Sequence, residues 1–298
     1  MTIPAPSVSA ARPGIWVSAA PAVFVLIWSS GFVVAKFGLP YTTPLWFLVL
    51  RFVVVIAVLA MMLPFMRVAW PSAAQAWRIA LAGVLIQAGY LGGVWCAIDA
   101  GMPAGLAALI VGLQPILTAF VAPAIGERVS ARQWAGFALG FAGVSLVVAN
   151  KIAVIALPIG SVALAVIALL SITSGTLYQK RKCPSFDLRA GSLIQFTASL
   201  AIALPLAILF ERWSVRFTPE FIGALLWSAI VLSIGGMSLL FPLIRRGEAT
   251  RVTSLFYLTP PVTALMAWLA FGERFTSLAM AGMVAAVIGV ALVVVRPR

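Results

Sequence analysis

The stretches that decide the fold are GLQPILTAFVAPAIGERVSARQWAGFALGFAGVSLVVA at residues 112–149 and LTPPVTALMAWLAFGERFTSLAMAGMVAAVIGVALVVV at residues 258–295. They align without a gap, and in both a Gly-Glu-Arg triplet is followed by an Ala-Gly pair and a later Gly. The beginnings of the two halves also match, since Ser30-Gly31-x4-Lys36 corresponds to Ser174-Gly175-x4-Lys180. The chain therefore contains two copies of one unit, at residues 13–149 and 155–295.

The composition predicts an integral membrane protein. The 298 residues are 63% hydrophobic and 9% charged, with a mean hydropathy of +1.13. Soluble domains carry about 25% charged residues, so this chain has too few to cover a surface that faces water. It has no histidine, and it has only two cysteines and seven acidic residues. Because histidine is the commonest metal ligand and a frequent general base, we expect no enzyme activity, no cofactor and no metal.

Ten apolar stretches are long enough to cross a bilayer as helices, which takes about 20 residues. They are Val17–Ala35, Pro44–Met66, Trp77–Ala97, Pro103–Ile125, Gln133–Ala149, Ile155–Leu177, Ser192–Phe210, Phe221–Leu243, Thr250–Phe271 and Ser277–Val295. Each repeat holds five spans, and because five is odd, the second copy enters the membrane upside down. We expect an all-α integral membrane fold of ten transmembrane helices, built as two inverted five-helix repeats around a central cavity. Such repeats are typical of secondary transporters.

The basic residues predict the orientation. Most of the 20 Lys and Arg residues, among them Arg12, Arg67, Lys180 and Arg298, fall in loops on one side of this topology. The positive-inside rule places that side, with both termini, in the cytoplasm of a bacterial-type inner membrane. This bias and the membrane lipids account for the net charge of +13, so we expect no nucleic-acid partner. Ten helices suffice to enclose a cavity, which favours a monomer.

The motifs resemble those of the drug/metabolite transporter superfamily, in its ten-helix EamA-type branch. The matching residues are Trp28-Ser29-Ser30-Gly31-Phe32 with Lys36, Pro44 with Arg51-Phe52, Pro115 with Gly126-Glu127-Arg128 and Gln133-Trp134-x-Gly136, and Pro261 with Gly272-Glu273-Arg274 and Gly282. The resemblance implies export of amino acids or other small metabolites by alternating access, and the chain is similar to bacterial aromatic and neutral amino-acid exporters. The second half departs from the pattern because Arg51 has no clear counterpart there, although Gln195 or Thr197 falls nearby.

The charged residues of the spans each allow two interpretations. Lys36 is either part of a gate that attracts a carboxylate or a lysine that anchors a helix end at the interface. Arg51, about 10 Å inside its span, is either a structural buttress or a substrate-binding group. Two pairs, Glu127–Arg128 and Glu273–Arg274, either hold gates on opposite sides or belong to helix caps and loops.

The expected cavity combines aromatic and hydrogen-bonding side chains with helix breaks. The residues predicted to line it are Trp28, Ser29, Tyr90, Trp95, Gln114, Tyr178, Met237, Tyr257 and Thr259. Pro115, Pro260 and Pro261 are predicted to break their helices as hinges, or to be packing kinks alone.

Such a cavity suits small zwitterions, with neutral or aromatic amino acids favoured. Efflux of cationic drugs is an alternative that usually needs a buried acid, and no acid lies at mid-membrane depth in the predicted spans. A carrier of phosphorylated metabolites is a second alternative, which should show several buried cations. We expect export down the substrate gradient.

Overall fold

The computed structural model describes residues 15–121, 130–183, 185–235 and 258–294, and every regular element within them is helical. In the first half these are α1 Ile15–Gly38, α2 Pro44–Met62, α3 Ala73–Gly83, α4 Tyr90–Asp99, α5 Ala104–Val111, α6 Gln114–Val121 and α7 Ala131–Ile155. In the second half they are α8 Ile159–Lys182, α9 Leu188–Phe210, α10 Pro219–Leu226, α11 Thr259–Phe271 and α12 Ser277–Val294. Two π-helical segments, Val84–Gly89 and Trp227–Gly235, continue α3 into α4 and extend α10.

Six helical stretches are long and apolar enough to cross a membrane: Ala22–Tyr41, Pro44–Phe65, Ala73–Asp99, Ala131–Asn150, Ile159–Lys182 and Leu188–Phe210. Four shorter apolar helices, at Ala104–Thr118, Pro219–Gly235, Thr259–Phe271 and Ser277–Leu292, overlap the other four spans that the sequence predicts. Large apolar side chains such as Leu209 and Ile159 are about three-quarters exposed, as expected for helices that face lipid. The prediction of an all-helical fold with apolar membrane spans is confirmed for the part of the chain that the structure describes.

Glycines allow α7 and α12 to lie against each other along most of their length. A Cβ added to Gly143 would lie 2.5 Å from the carbonyl oxygen of Gly282, so neither position accepts a larger residue without a shift of the backbone. Small residues at such crossings let membrane helices approach closely. This matters because the hydrophobic effect does not drive helices together in lipid, and van der Waals packing stabilises their contact.

The helices α2 and α9 are held together at one end by Glu211, the residue that follows α9. Its carboxylate accepts hydrogen bonds from the backbone N–H groups of Leu45 (3.0 and 3.1 Å) and Trp46 (3.2 Å), in the first turn of α2. A negative charge at a helix N-terminus satisfies free N–H groups and favours the helix dipole. The neighbouring loop adds a backbone hydrogen bond from Arg216 to the carbonyl of Tyr41.

Asp187, the N-cap residue of α9, joins the start of α9 to the loop that follows α2. Its side chain accepts a hydrogen bond from the N–H of Arg189 at 2.9 Å and a longer one from Ala69 at 3.4 Å. Burial by itself would raise the pKa of Asp187, but these hydrogen bonds hold the pKa below its ordinary value. Gln75 donates to the carbonyl of Ser185 in the same region. The two helices therefore form a pair that is tied at both ends.

Candidate substrate cavity

A cavity of about 720 Å³, measured out to its mouth, lies between the two halves of the chain. The described residues that line it are Trp28, Gly31, Phe32, Arg51, Ile86, Gln87, Tyr90, Leu91, Val94, Trp95, Ile172, Phe196, Leu232 and Ser233. Most of them are apolar or aromatic, and none of them is acidic. This combination of an apolar wall with a few polar groups is usual for sites that bind small molecules.

Both π-helical segments contribute to this lining. The first brings Ile86 and Gln87 to the cavity, and the second brings Leu232 and Ser233. A π-helical turn inserts one residue into the helix, which rotates the side chains that follow and widens the turn, and such turns are frequent at functional sites. The four residues correspond to one another as two pairs, Ile86 with Leu232 and Gln87 with Ser233, in the register that aligns residues 112–149 with 258–295.

Arg51 is the only cation among the described lining residues. It lies seven residues into α2, about 10 Å from the start of the helix, and it is 6% exposed. Its Nη2 donates a hydrogen bond to Oγ of Ser233 at 3.1 Å, and that hydroxyl donates to the carbonyl of Ser228 at 3.2 Å. The Nε of Arg51 is buried without a hydrogen-bond partner. The guanidinium, which carries five N–H donors, therefore retains donors for a ligand.

Aromatic side chains form the wall around this cation. Trp28, Phe32, Tyr90, Trp95 and Phe196 all reach the cavity. Trp95 is backed by Phe47, whose ring centroid lies 4.1 Å away. The site can therefore hold a carboxylate at Arg51 and an apolar or aromatic side chain against these rings.

Lys36 and Glu273 form an ion pair at one end of the protein, which we call the Lys36 end. The Nζ of Lys36 lies 2.7 Å from Oε1 of Glu273, and the same oxygen accepts the N–H of Ala104 at 3.2 Å. The ammonium group also lies 4.6 Å from the centre of the Phe271 ring. This ion pair joins the end of α1 to the segment after α11, and the backbone bond adds the start of α5.

The Gly-Glu-Arg triplet explains why Glu273 faces Lys36. Gly272 ends α11 with a φ of 66°, in the left-handed region that glycine adopts without strain. Its N–H bonds the carbonyl of Trp268 at 2.9 Å, and the N–H of Glu273 bonds that of Ala267 at 3.4 Å. This helix cap turns the chain so that the Glu273 side chain points inward, whereas Arg274 is exposed in the loop that leads to α12.

Three other predicted cavity residues, Ser29, Thr259 and Gln114, take part in contacts between helices. Ser29 is fully buried, its hydroxyl lies 3.5 Å from the carbonyl of Thr259, and its own carbonyl accepts Oγ1 of Thr263 at 3.3 Å. Gln114 donates to Oγ1 of Thr176 at 3.1 Å. None of Ser29, Thr259 and Gln114 is among the described lining residues.

The prolines lie at the beginnings of helices. Pro115 is the second residue of α6, and the chain turns at Gly112 and Leu113 between α5 and α6, so the apolar stretch Ala104–Thr118 departs from regular α-helix just before the proline. Pro260 and Pro261 lie in the first turn of α11, where a missing N–H removes no helical hydrogen bond. A Cβ on Gly112 would lie 2.9 Å from Cγ of Pro260, so the break in one span meets the start of the other helix.

The other residues that the sequence predicts for the site fall into two groups, those whose position the structure describes and those outside the described residues. Trp28, Tyr90, Trp95 and Arg51 line the cavity, and Tyr178 is half-buried on α8 away from the described lining. Met237, Tyr257, Glu127 and Arg128 lie outside the described residues.

Sequence reasoning does not single out Phe196, Ile172 or Leu232 as cavity residues. For Phe196 a signal exists, since it follows Gln195 as Phe52 follows Arg51, and the two rings pack with centroids 5.8 Å apart. The other two are aliphatic residues in apolar helices, which the sequence cannot distinguish from their neighbours.

The sequence profile of the EamA-like transporter family matches this chain twice, at residues 15–149 and 159–295. Two proteins named "Probable amino-acid metabolite efflux pump", from Salmonella typhimurium and Escherichia coli K12, are each 30% identical to it, over 270 and 280 residues. In both cases the alignment covers 87% of this chain and 88% of the relative.

A protein of Escherichia coli K12 named "Uncharacterized inner membrane transporter YedA" is 25% identical over 259 residues, which is 85% of this chain and 82% of that protein. A solved crystal structure superposes with a TM-score of 0.63 at 18% identity, covering 93% of this chain and 96% of the other. That similarity concerns the fold alone.

Proposed function

Because the chain belongs to the EamA-like transporter family, we propose that it exports small zwitterionic metabolites, with neutral and aromatic amino acids as the favoured substrates. As a multi-pass inner-membrane protein of this family it is a transporter rather than an enzyme. The substrate class and the direction of transport are the proposed part.

One observation carries the proposal: the cavity joins a single cation, Arg51, to a wall of aromatic rings, and its described lining contains no acid. A carboxylate at Arg51 would gain charge-assisted hydrogen bonds in a site with few competing waters. An apolar side chain would pack against Trp28 or Tyr90, where area burial and ring contacts stabilise it. Export of cationic drugs fits less well because the described lining has no acid, and phosphorylated solutes would face one cation among the lining residues that the structure describes.

The names of the two relatives at 30% identity support amino-acid metabolites as the substrate class. Those names describe the relatives, and identity at this level leaves room for a different solute. The cavity adds an argument that does not depend on them, since its chemistry independently favours an amphipathic molecule with a carboxylate.

We also propose that transport proceeds by alternating access in ten helices arranged as two inverted repeats. Two separate matches to one family profile and π-helical segments at corresponding positions of both halves support this arrangement. In this proposal both termini are cytoplasmic, the protein acts as a monomer, and the Lys36 end faces away from the cytoplasm. The Lys36–Glu273 pair would then hold the outer side closed.

Purified protein in liposomes tests the substrate class. The assay compares labelled tryptophan, phenylalanine, threonine and methionine with glutamate, a sugar phosphate and a cationic dye, with and without a pH gradient. We expect flux of the neutral amino acids and its loss in Arg51→Met, whereas Arg78→Gln, an exposed cation away from the cavity, retains it. Dye flux that requires a pH gradient would contradict the proposal in favour of drug efflux, and flux of the sugar phosphate alone would favour a phosphate carrier.

A further inference from the structure

A second space of about 980 Å³ lies at the end of the protein opposite Lys36. Its described lining comes from the last turns of α2, the first turns of α9 and the second π-helical segment. The residues are Val55, Leu59, Met62, Leu63, Met66, Leu188, Arg189, Ser192, Phe196, Ser233 and Ile234. We call this space the Arg189 groove.

Two side chains, Phe196 and Ser233, line both the groove and the central cavity. Phe196 is 1% exposed, so its ring is buried where it borders the two chambers. Ser233 is held there by the hydrogen bond from Arg51 at 3.1 Å. One ring and one hydroxyl therefore border both chambers, and the cavity's only described cation anchors the hydroxyl.

The chemistry of the groove matches that of the cavity. Both are apolar over most of their described lining, both carry one cation and neither includes an acid there. The groove also lies at the end of the protein opposite the Lys36–Glu273 pair. A solute that binds in the cavity through a carboxylate and an apolar group would find the same two features in the groove.

We infer that the Arg189 groove is an access vestibule for the transported solute and that Phe196, with Ser233, is the partition through which the solute passes into the cavity. The inference rests on the proposed function for the identity of the occupant. The partition itself follows from the position of two side chains between two chambers. Movement of the Phe196 ring would connect the chambers while the Lys36 end stays closed.

Cysteine accessibility tests the partition without any transport. The reporter is Gln87→Cys, inside the cavity, in a chain that also carries Cys96→Ser and Cys183→Ser, and the probe is anionic, membrane-impermeant sulfonatoethyl methanethiosulfonate. In inside-out vesicles we expect Phe196→Ala to accelerate labelling about tenfold or more, because minor open states are typically populated at about 0.1–10%. In right-side-out vesicles labelling should stay slow, since the Lys36 end remains closed.

Phe52→Ala is the matched control. Phe52 is the same residue type, is fully buried and packs on Phe196, yet it lines neither chamber. It should therefore cost similar stability without accelerating the labelling of Gln87→Cys. Equal acceleration by both alanine variants, or none by Phe196→Ala, would overturn the partition. If Phe196→Ala does not fold, Phe196→Trp tests the partition in its place. Its larger ring should slow the labelling of Gln87→Cys, and faster labelling would contradict the partition.

A second reporter, Leu59→Cys, tests the vestibule. Phenylalanine at a concentration that half-saturates the protein should slow its labelling about twofold, as mass action requires for a shared site. Protection of Gln87→Cys without protection of Leu59→Cys would show that the groove does not take the solute. A different outcome would separate the two proposals. If Phe196→Ala accelerates the labelling of Gln87→Cys but the protein transports no amino acid, the proposed substrate is wrong and the partition still holds.

Discussion

Replacing Lys36 by methionine should open the Lys36 end of the cavity. The change removes the ammonium group that lies 2.7 Å from Glu273 but keeps an unbranched stem to pack near Phe271. Glu273 is then left 8% exposed with one described backbone donor, Ala104, while its Oε2 is already without a partner. The closed arrangement loses stability, because an open one would let the carboxylate meet water.

The burial of the two side chains sets the size of the effect. Removing one partner of a buried ion pair costs about 3–5 kcal/mol, and an exposed pair is worth about 0–1 kcal/mol. Lys36 is 35% exposed, so water already shares in its solvation and the larger figure does not apply. We expect the balance between closed and open to shift by about 1–3 kcal/mol, or about 5- to 150-fold in population.

The assay labels Val94→Cys, a cavity residue, from the outer side of right-side-out vesicles in the background that lacks native cysteines. Lys36→Met and Glu273→Gln should each accelerate labelling, and the double variant should do so by less than the product of the two. Asn150→Ala is the control, because it breaks a hydrogen bond of 2.7 Å with Thr276 that lies away from the cavity. Unchanged labelling in Lys36→Met, or effects that simply multiply, would refute the reasoning.

Three further outcomes are expected. Arg51→Lys keeps the charge but loses the planar, forked arrangement of N–H donors. The KM for a neutral amino acid should therefore rise about 10- to 100-fold in liposomes, as the loss of a hydrogen bond to a charged group implies. A KM equal to that of wild type would argue against a carboxylate at this site. Gly143→Ala places a Cβ 2.5 Å from a carbonyl of α12 and should destabilise the protein by about 1–3 kcal/mol, seen as a lower Tm in detergent, whereas Gly160→Ala, which meets nothing within 4 Å, should not. Glu211→Ala leaves N–H groups of α2 without their acceptor and should cost about 1–2 kcal/mol, so a Tm equal to that of wild type would show that water replaces the carboxylate.

The sequence predicts those features of the protein that depend on residues close to one another in the chain. Long apolar runs predict the helices, because a helix that crosses lipid must satisfy its backbone internally. The repeated Gly-Glu-Arg predicts a helix end, and Gly272 provides it with a positive φ. Arg51 stands out because a charge at that depth needs a partner.

The remainder depends on contacts between distant positions. The sequence identifies Lys36 and Glu273 separately, but 237 positions separate them and nothing local pairs them. The π-helical segments are built from the same residue types as the α-helices that they interrupt, so composition does not reveal them. The sequence predicts Ser29 and Thr259 as cavity residues because they are polar, and in the structure they contact each other between helices, where polar groups also stabilise membrane proteins.

Two buried ionic groups, Arg51 in the cavity and Glu273 at the Lys36 end, share a feature that fits a transporter better than a static scaffold. Arg51 keeps a buried Nε without a partner, and Glu273 keeps a buried Oε2 in the same condition. An unpaired buried polar atom costs free energy, so a sequence selected for stability alone would gain by pairing both or by replacing them with apolar residues. Charges that retain free hydrogen-bonding capacity can exchange partners at low cost. In the proposed transport cycle Arg51 would exchange Ser233 for a carboxylate and Glu273 would exchange Lys36 for water, so the incomplete pairing would lower the free-energy cost of reaching another state.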